Sequence, residues 1–280
     1  MRRDRRRPAR RGSCDRLRCR RIRPPGRGRE GVTLTGRELG YSNPEVQRLR
    51  RLLGRRSSRS EEGAFVVEGE VLIGEAVAAG WSIEAHYVAT GIEPVDGAGP
   101  SLTLAQGVAE RVSDVETPSG LFAVVRERPH DITVVESASF VVVANRVSEP
   151  GNLGTIIRSA EAAGADAVVV TPGTVDASNP KVLRASAGAV FHVPVASAGL
   201  ADVRAAGLRL IGTSSHHGVS HTAADWSGRI AIVAGNEAAG MDADEPIDEW
   251  VRIEQRGRSE SLNVAMATTV LCFEAVRQRG

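Results

Sequence analysis

The chain has 280 residues, 41% of them hydrophobic and 25% charged, which is long enough for two ordinary domains with buried cores. Its formal net charge of +2 conceals an asymmetry, because residues 1–30 hold fourteen arginines and only three acidic residues, about +11, and the remainder carries about −9. No stretch approaches the roughly 18 apolar residues that a membrane-spanning helix needs, which argues against a membrane protein.

The first 38 residues form an arginine-rich tail whose composition predicts disorder. It lacks the apolar centre of a secretory signal, so we expect a cytoplasmic protein. Two interpretations of the tail stay open, a phosphate-binding arm or a solvated extension without a role. The three cysteines, Cys14, Cys19 and Cys272, show neither a disulfide framework nor metal-ligand spacing and are expected to be reduced thiols.

Residues 41–128 are predicted to form a small α/β domain. Helical spacing of apolar residues marks helices at 43–53 and 70–80. Short apolar runs predict strands at 64–69, 83–89, 100–105 and 120–127. The polar Gly/Ser/Arg-rich residues 54–63 are expected to be a loop, and residues 129–138 to be the linker to a second domain.

Strands and helices alternate from residue 139 to residue 280. The expected strands are 140–144, 167–170, 208–212, 230–234 and 250–253. The expected helices are 155–163, 181–187 and 262–277, the last with an apolar stripe of Leu262, Met266, Val270, Phe273 and Val276. Continuously apolar strands separated by helices predict a parallel sheet covered on both faces.

Three segments that follow predicted strands combine glycines with polar residues: "EPGNLGTIIR", "AGNEAAG" and "GRSESLN". Each has a plainer explanation, since Asn152 and Ser261 could cap helices and Arg158 could pair with Glu161 on an exposed face. Arg158 is expected near the positive end of its helix, where the helix dipole mildly disfavours a cation. Because ligand sites of parallel sheets lie beyond the carboxyl ends of the strands, the three segments together favour a binding site.

Several common cofactor signatures are missing. The chain has no G-x-x-x-x-G-K-[ST] motif, and no predicted strand is followed by G-x-G-x-x-G, which argues against P-loop and dinucleotide-binding enzymes. His216, His217 and His221 lie in "SSHHGVSH", which we expect to be a polar loop rather than a metal site. No metal is therefore expected.

Residues 139–280 resemble the SpoU (TrmH-type) RNA 2′-O-ribose methyltransferases of the SPOUT superfamily in three ordered motifs, "EPGNLGTIIRSAEAAGADAVVV", "IVAGNEAAGM" and "SESLNVAMATTVLCFEAVRQR". Residues 41–128 resemble the ribosomal-protein-like substrate-binding domain often found ahead of it, in "NPEVQRLRRLL", "FVVEGEVLIGEA" and "TPSGLFAVV". The resemblance implies a parallel α/β domain with a deep trefoil knot that binds S-adenosylmethionine. It also implies a homodimer formed through the C-terminal domain, and methyl transfer to a ribose 2′-hydroxyl.

The resemblance assigns roles to ten positions. It implies that the cofactor is held by Thr213, Ser214, Gly235, Ile253 and Leu262. It implies a catalytic set of Asn152, Arg158, Glu237, Ser261 and Asn263. The resemblance makes Arg158 the usual candidate for assisting the loss of the hydroxyl proton. A guanidinium is a poor base, so we expect Arg158 instead to bind an RNA phosphate and thereby position the hydroxyl or relay its proton. The third motif departs from the family's apolar–proline–apolar step, because Ile253 is followed by Glu254 and Gln255.

The expected substrate is structured RNA recognised by its shape and phosphates. Large-subunit 23S rRNA is favoured, with tRNA as the alternative. A basic surface is predicted from Arg48, Arg51, Arg55, Arg56 and Arg59. A non-catalytic RNA-binding protein and a base methyltransferase stay open, although the Asn-x5-Arg and Ser-Leu-Asn patterns favour ribose.

Overall fold

The computed structural model describes residues 38–242 and 244–280 and contains a four-stranded and a seven-stranded sheet. Residues 1–37 of the arginine-rich tail, with Cys14 and Cys19, lie outside the described residues. None of the described helices is long and apolar enough to cross a membrane.

The smaller sheet belongs to the N-terminal domain. Its elements are α1 (Pro44–Gly54), α2 (Arg56–Glu62), β1 (Ala64–Glu68), α3 (Glu70–Ala78), β2 (Ile83–Ala89), β3 (Ser101–Leu104), α4 (Val108–Val112) and β4 (Leu121–Arg126). The strand order is β1-β4-β2-β3, and only the β2–β3 pair is parallel. The polar residues predicted as a loop contain α2, which ends at Gly63 in the left-handed conformation that favours glycine.

The larger sheet belongs to the C-terminal domain. Its elements are β5 (Phe140–Ala144), α5 (Pro150–Ala162), β6 (Ala167–Val170), α6 (Pro180–Ser186), β7 (Val195–Ser197), α7 (Leu200–Ala205), β8 (Arg209–Thr213), β9 (Val219–Ser220), β10 (Ile230–Ala234), β11 (Glu249–Arg252) and α8 (Val264–Arg279). Short 3₁₀ turns lie at Ile132–Val135 and Ala189–Phe191. All seven strands are parallel, in the order β7-β6-β5-β10-β8-β11-β9.

Both faces of the larger sheet are covered, which confirms the predicted parallel α/β architecture. Helices α5, α6 and α8 pack on one face, where their apolar residues form one core with those of α3 and β1 from the smaller domain. Helix α7 and the 3₁₀ turn at Ile132–Val135 cover the other face. Because the strands are parallel, all their carboxyl ends lie along one edge of the sheet.

Helix α5 begins earlier than the glycine-rich sequence predicted. Pro150 occupies its first turn, and the Glu149 carboxylate caps it by accepting the Asn152 N–H at 2.7 Å. Arg158 therefore lies well beyond the first turn, so the expected conflict with the helix dipole was wrong. Gly154 is required by packing, since a Cβ there would lie 2.5 Å from the Val182 carbonyl oxygen of α6.

Helix α8 is capped by Asn263 rather than by Ser261. The Asn263 Oδ1 accepts the backbone N–H groups of Ala265 at 3.0 Å and Met266 at 3.2 Å. The apolar stripe predicted on this helix faces solvent, with Met266 59% and Phe273 48% exposed. The face that packs on the sheet carries Ala265, Thr268, Leu271, Cys272 and Ala275 instead.

Candidate active site

A cavity of about 660 Å³ lies at the carboxyl edge of the larger sheet. Four segments build it: the turn that follows β8, the loop that follows β10, the residues that follow β11, and the start of α8. Asn152, in the first turn of α5, completes its wall. Parallel strands deliver these segments to one edge, as the sequence predicted for the three glycine-containing motifs.

A chain of hydrogen bonds links the three motifs at this cavity. The Asn152 Nδ2 donates to Glu237 Oε1 at 3.0 Å, and the Asn263 Nδ2 donates to Asn152 Oδ1 at 2.9 Å. Asn263 is itself held by its capping bonds to α8. The orientation of the Asn152 amide is therefore fixed from both sides, with one N–H of its Nδ2 left for another partner.

Glu237 sits against the N-terminus of α5. Its Oε2 accepts the Ser148 N–H at 3.1 Å and the Ser148 hydroxyl at 3.0 Å, and its Oε1 accepts the Glu149 N–H at 3.1 Å. Partial burial works against the charge, but the hydrogen bonds from Asn152, Ser148 and Glu149 outweigh it and lower the pKa of Glu237 from 4.5 to about 2. The carboxylate is thus ionised at neutral pH.

The loop that follows β10 is fastened by Arg146, which has a left-handed backbone at φ 56°. Its carbonyl accepts the Asn236 Nδ2 at 2.7 Å, and its guanidinium donates to Asp242 and Glu245, each at 2.7 Å. A non-glycine residue in this conformation is strained. These contacts hold Arg146 in the left-handed conformation. They also fix Asn236, and the next residue, Glu237, then lies at the N-terminus of α5.

The residues between Glu254 and Leu262 make no hydrogen bond to any described part of the chain. Their backbone N–H and C=O groups are free to meet a ligand beside the cavity. The adjoining wall is apolar and includes Val251, Ile253, Val264 and Leu271. A ligand with a flat apolar part and polar ends, such as S-adenosylmethionine, fits this combination of surfaces.

Most of the predicted site residues meet at this cavity. Those that line it are Asn152, Thr213, Ser214, Gly235, Glu237, Ile253, Ser261, Leu262 and Asn263. Arg158 does not line it. This arginine lies exposed on α5 and forms no hydrogen bond or ion pair with the described residues.

The predicted RNA-binding arginines differ in how available they are. Arg51 on α1, Arg55 at the junction between the two helices and Arg56 on α2 are exposed, and Arg51 also lies 3.8 Å from the Glu62 carboxylate. Arg48 donates to Glu62 at 2.6 Å and to Glu84 at 2.8 Å. Arg59 is only 4% exposed and pairs with Asp176 of the C-terminal domain at 2.6 Å. The structure therefore corrects the prediction for Arg59, which joins the two domains and is not free to contact RNA.

Sequence reasoning missed His217 and Trp250, which also line the cavity. Their rings lie 4.8 Å apart, and the Ser214 Oγ lies 2.9 Å from His217 Nδ1. The signal available was the position of His217, three residues after the predicted cofactor residue Ser214. Within the described part of the chain no group of three His, Cys, Asp or Glu side chains is placed to hold a metal ion.

Comparison with known proteins gives matches to two family models and to curated relatives. Residues 139–273 match the model of the SpoU rRNA Methylase family, and residues 43–123 match the MRM3-like substrate binding domain. The chain is 33% identical over 234 residues to the 23S rRNA (guanosine(2553)-2′-O)-methyltransferase RlmP of Bacillus subtilis, covering 78% of this chain and 90% of that protein. It is 31% identical over 281 residues to the 23S rRNA (uridine(2479)-2′-O)-methyltransferase of Streptomyces viridochromogenes, covering 90% and 96%.

Solved structures show the same architecture. The SpoU methyltransferase AviRb from Streptomyces viridochromogenes, in complex with the cofactor AdoMet, has a TM-score of 0.76 at 30% identity, covering 85% of this chain and 98% of that one. The AdoMet-bound rRNA methyltransferase from Sinorhizobium meliloti has a TM-score of 0.75 at 29% identity, covering 89% and 97%.

Proposed function

Because the chain belongs to the SpoU rRNA methylase family, we propose that it is an S-adenosylmethionine-dependent methyltransferase that acts on a ribose 2′-hydroxyl of 23S rRNA. The observation that carries the proposal is the hydrogen-bonded series Asn263–Asn152–Glu237 at the edge of the cavity. Two relatives that align over most of the chain are named as 23S rRNA 2′-O-methyltransferases, and a similar solved structure is in complex with AdoMet.

The cavity offers S-adenosylmethionine both polar backbone groups and an apolar wall. The unbonded backbone beside Ile253 and Leu262, with Gly235 and the Thr213–Ser214 turn, would hold it, and the apolar wall would receive its base. When bound, S-adenosylmethionine supplies a methyl group on a positively charged sulfur. The chain's own task is then to hold the attacking hydroxyl in line with that group and to exclude water.

Asn152 is the residue best placed to hold the hydroxyl. Its amide is fixed between the ionised Glu237 and Asn263, so the remaining N–H can donate to the 2′-oxygen without reorganisation. The Ser261 hydroxyl, on the same wall, offers a second contact. Arg158 is assigned to an RNA phosphate flanking the target, because a guanidinium stays protonated and is suited to phosphate rather than to proton removal.

The exposed stripe on α8 supports a homodimer. Met266, Val270, Phe273 and Val276 are each 37–59% exposed on one face of α8, an apolar patch that a second copy could cover. Leu262, the first residue of the predicted stripe, lies before the helix and lines the cavity. Helix α5, which carries Arg158, packs on α8 through the Ser159–Thr269 contact at 2.7 Å. Arg158 precedes Ser159 on α5 and is exposed, so we place it near the edge of the proposed interface, open to RNA. Replacing Met266 and Phe273 by arginine is expected to give monomers in sedimentation analysis, and an unchanged dimer would contradict this interface.

We assign the domains accordingly. Residues 41–128 bind the RNA substrate with the exposed Arg51, Arg55 and Arg56, residues 129–138 link the domains, and residues 139–280 carry the reaction. Family membership also supports a trefoil knot formed by the segments that line the cavity. It supports a cytoplasmic location as well.

The test is tritium transfer from labelled S-adenosylmethionine to 23S rRNA and, separately, to tRNA. We expect label in 23S rRNA with the wild type, none with Asn152→Ala or Arg158→Ala, and full activity with the control Arg204→Ala, whose arginine lies on α7 at the opposite face of the sheet. Label in tRNA alone would overturn the substrate. Cofactor binding without label in either RNA would indicate a non-catalytic RNA-binding protein.

A further inference from the structure

Gln255 carries an unpaired polar atom at the cavity. Its side-chain Oε1 has no hydrogen-bond partner among the described residues and no contact with solvent, although the residue lines the cavity wall. The preceding Glu254 is exposed and does not line the cavity. A buried acceptor without a partner is unfavourable, so a ligand that supplies a donor here would be favoured.

The cavity lining combines two kinds of surface. Asn152, Glu237 and Asn263 form a hydrogen-bonded polar group, where the reacting groups must meet. Gln255 lies two residues after Ile253, in the segment after β11 whose apolar side chains Val251 and Ile253 line the cavity and suit a flat ring. With the sulfonium at the polar group, we place the adenine against this apolar segment, within reach of Gln255.

The primary amide of glutamine complements adenine. Its oxygen can accept a hydrogen from the 6-amino group while its nitrogen donates to a ring nitrogen, a pairing that proteins use to recognise this base. The terminal amide rotates about a soft torsion, so the buried oxygen can turn toward the cavity when a donor arrives.

We propose that Gln255 is a specificity-determining residue for the cofactor, with its Oε1 accepting the 6-amino group of adenine. The inference rests on the proposed use of S-adenosylmethionine. It gives a role to Gln255 in the tripeptide Ile253-Glu254-Gln255. In the family pattern, proline stands in place of Glu254 and an apolar residue in place of Gln255. A side-chain contact at Gln255 supplies recognition that does not depend on the missing proline.

The experiment is calorimetric binding of two ligands to the full chain, without any turnover. One ligand is S-adenosylhomocysteine, and the other is its analogue with hydrogen in place of the 6-amino group. Because removing the donor leaves Oε1 unpaired, the wild type is expected to prefer the amino form by roughly 5- to 150-fold. The Gln255→Met variant has no acceptor to leave unpaired, and the preference falls at least about fivefold.

Two further variants separate recognition from structure. Glu254→Gln, changed at the exposed neighbour, is expected to keep the wild-type preference, and Gln255→Glu, which retains an acceptor, is expected to keep a clear preference for the amino form. If Gln255→Met weakens both ligands equally and leaves their ratio unchanged, the residue is structural and the inference is overturned. If the wild type binds neither ligand, the proposed function itself is overturned, and this inference with it.

Discussion

Glu237 offers a sharp test of the site because donors from Ser148, Glu149 and Asn152 converge on its carboxylate. Glu237→Gln keeps the size of the side chain but turns one acceptor oxygen into a donor NH₂ group. If the NH₂ group takes the place of Oε2, it faces the N–H and the hydroxyl of Ser148; if it takes the place of Oε1, it faces the N–H groups of Glu149 and Asn152. These donor atoms lie 3.0–3.1 Å from the carboxylate oxygens of Glu237. Two hydrogen bonds to a charged acceptor are lost. Since the side chain is exposed and water can replace part of them, we expect a loss of about 1–2 kcal/mol in unfolding free energy.

The loss should depend on pH in a defined direction. The pKa of Glu237 is about 2 in the folded chain against an ordinary 4.5, so its contribution is present above pH 4.5 and is lost as the pH falls toward 2. Urea unfolding of wild type and Glu237→Gln should therefore differ by a constant amount between pH 5 and 8. The difference should shrink below pH 4.5.

The matched control is Glu260→Gln, which changes a carboxylate on the same cavity wall that makes no hydrogen bond or ion pair with the described residues. It is expected to leave the unfolding midpoint unchanged. Equal midpoints for wild type and Glu237→Gln at pH 7, or a difference that stays constant down to pH 3, would refute the reasoning.

Three further predictions concern packing, catalysis and RNA binding. Gly154→Ala puts a Cβ 2.5 Å from the Val182 carbonyl oxygen and is expected to lower the unfolding free energy by about 1–3 kcal/mol in urea titrations. Arg158→Ala is expected to abolish methyl transfer while the calorimetric affinity for S-adenosylhomocysteine stays within about twofold, because Arg158 lies outside the cavity lining. The double variant Arg55→Ala, Arg56→Ala is expected to weaken rRNA binding and to reduce the slope of log affinity against log salt by about two.

Controls for these predictions lie in the same chain. Gly74→Ala, in α3, adds a Cβ with no atom within 4 Å and should be neutral or stabilising, so an equal effect at Gly154 would contradict the packing argument. Loss of S-adenosylhomocysteine binding in Arg158→Ala would show that Arg158 supports the cofactor site. An unchanged salt slope in the arginine double variant would remove α2 from the RNA surface.

The strands of the larger sheet were predictable because burial on both faces leaves continuous apolar runs. Phe140–Ala144 and Ile230–Ala234 were predicted with the bounds that the structure shows. The start of α5 was not, since glycines usually signal a turn, and here Gly154 serves a close contact with α6 that only the folded chain reveals. Helix α2 was missed because a polar helix carries little apolar periodicity.

The convergence of the motifs was predictable from one rule, that parallel strands end along the same edge. The burial of Arg59 and the position of His217 at the cavity could not be predicted, because both depend on contacts between residues distant in sequence. Arg59 is buried because Asp176 lies opposite it, 117 positions along the chain. The rings of His217 and Trp250 meet at the cavity at a tilt of 54°, and nothing in the local sequence around either residue predicts that contact.

The central claim is transfer to a ribose 2′-hydroxyl, and the most direct measurement is alkaline hydrolysis of 23S rRNA labelled by the enzyme. A 2′-O-methyl group removes the hydroxyl that attacks the neighbouring phosphate, so the account predicts that the label is recovered in an alkali-resistant dinucleotide. Label recovered in a mononucleotide would place the methyl group on a base and contradict the account.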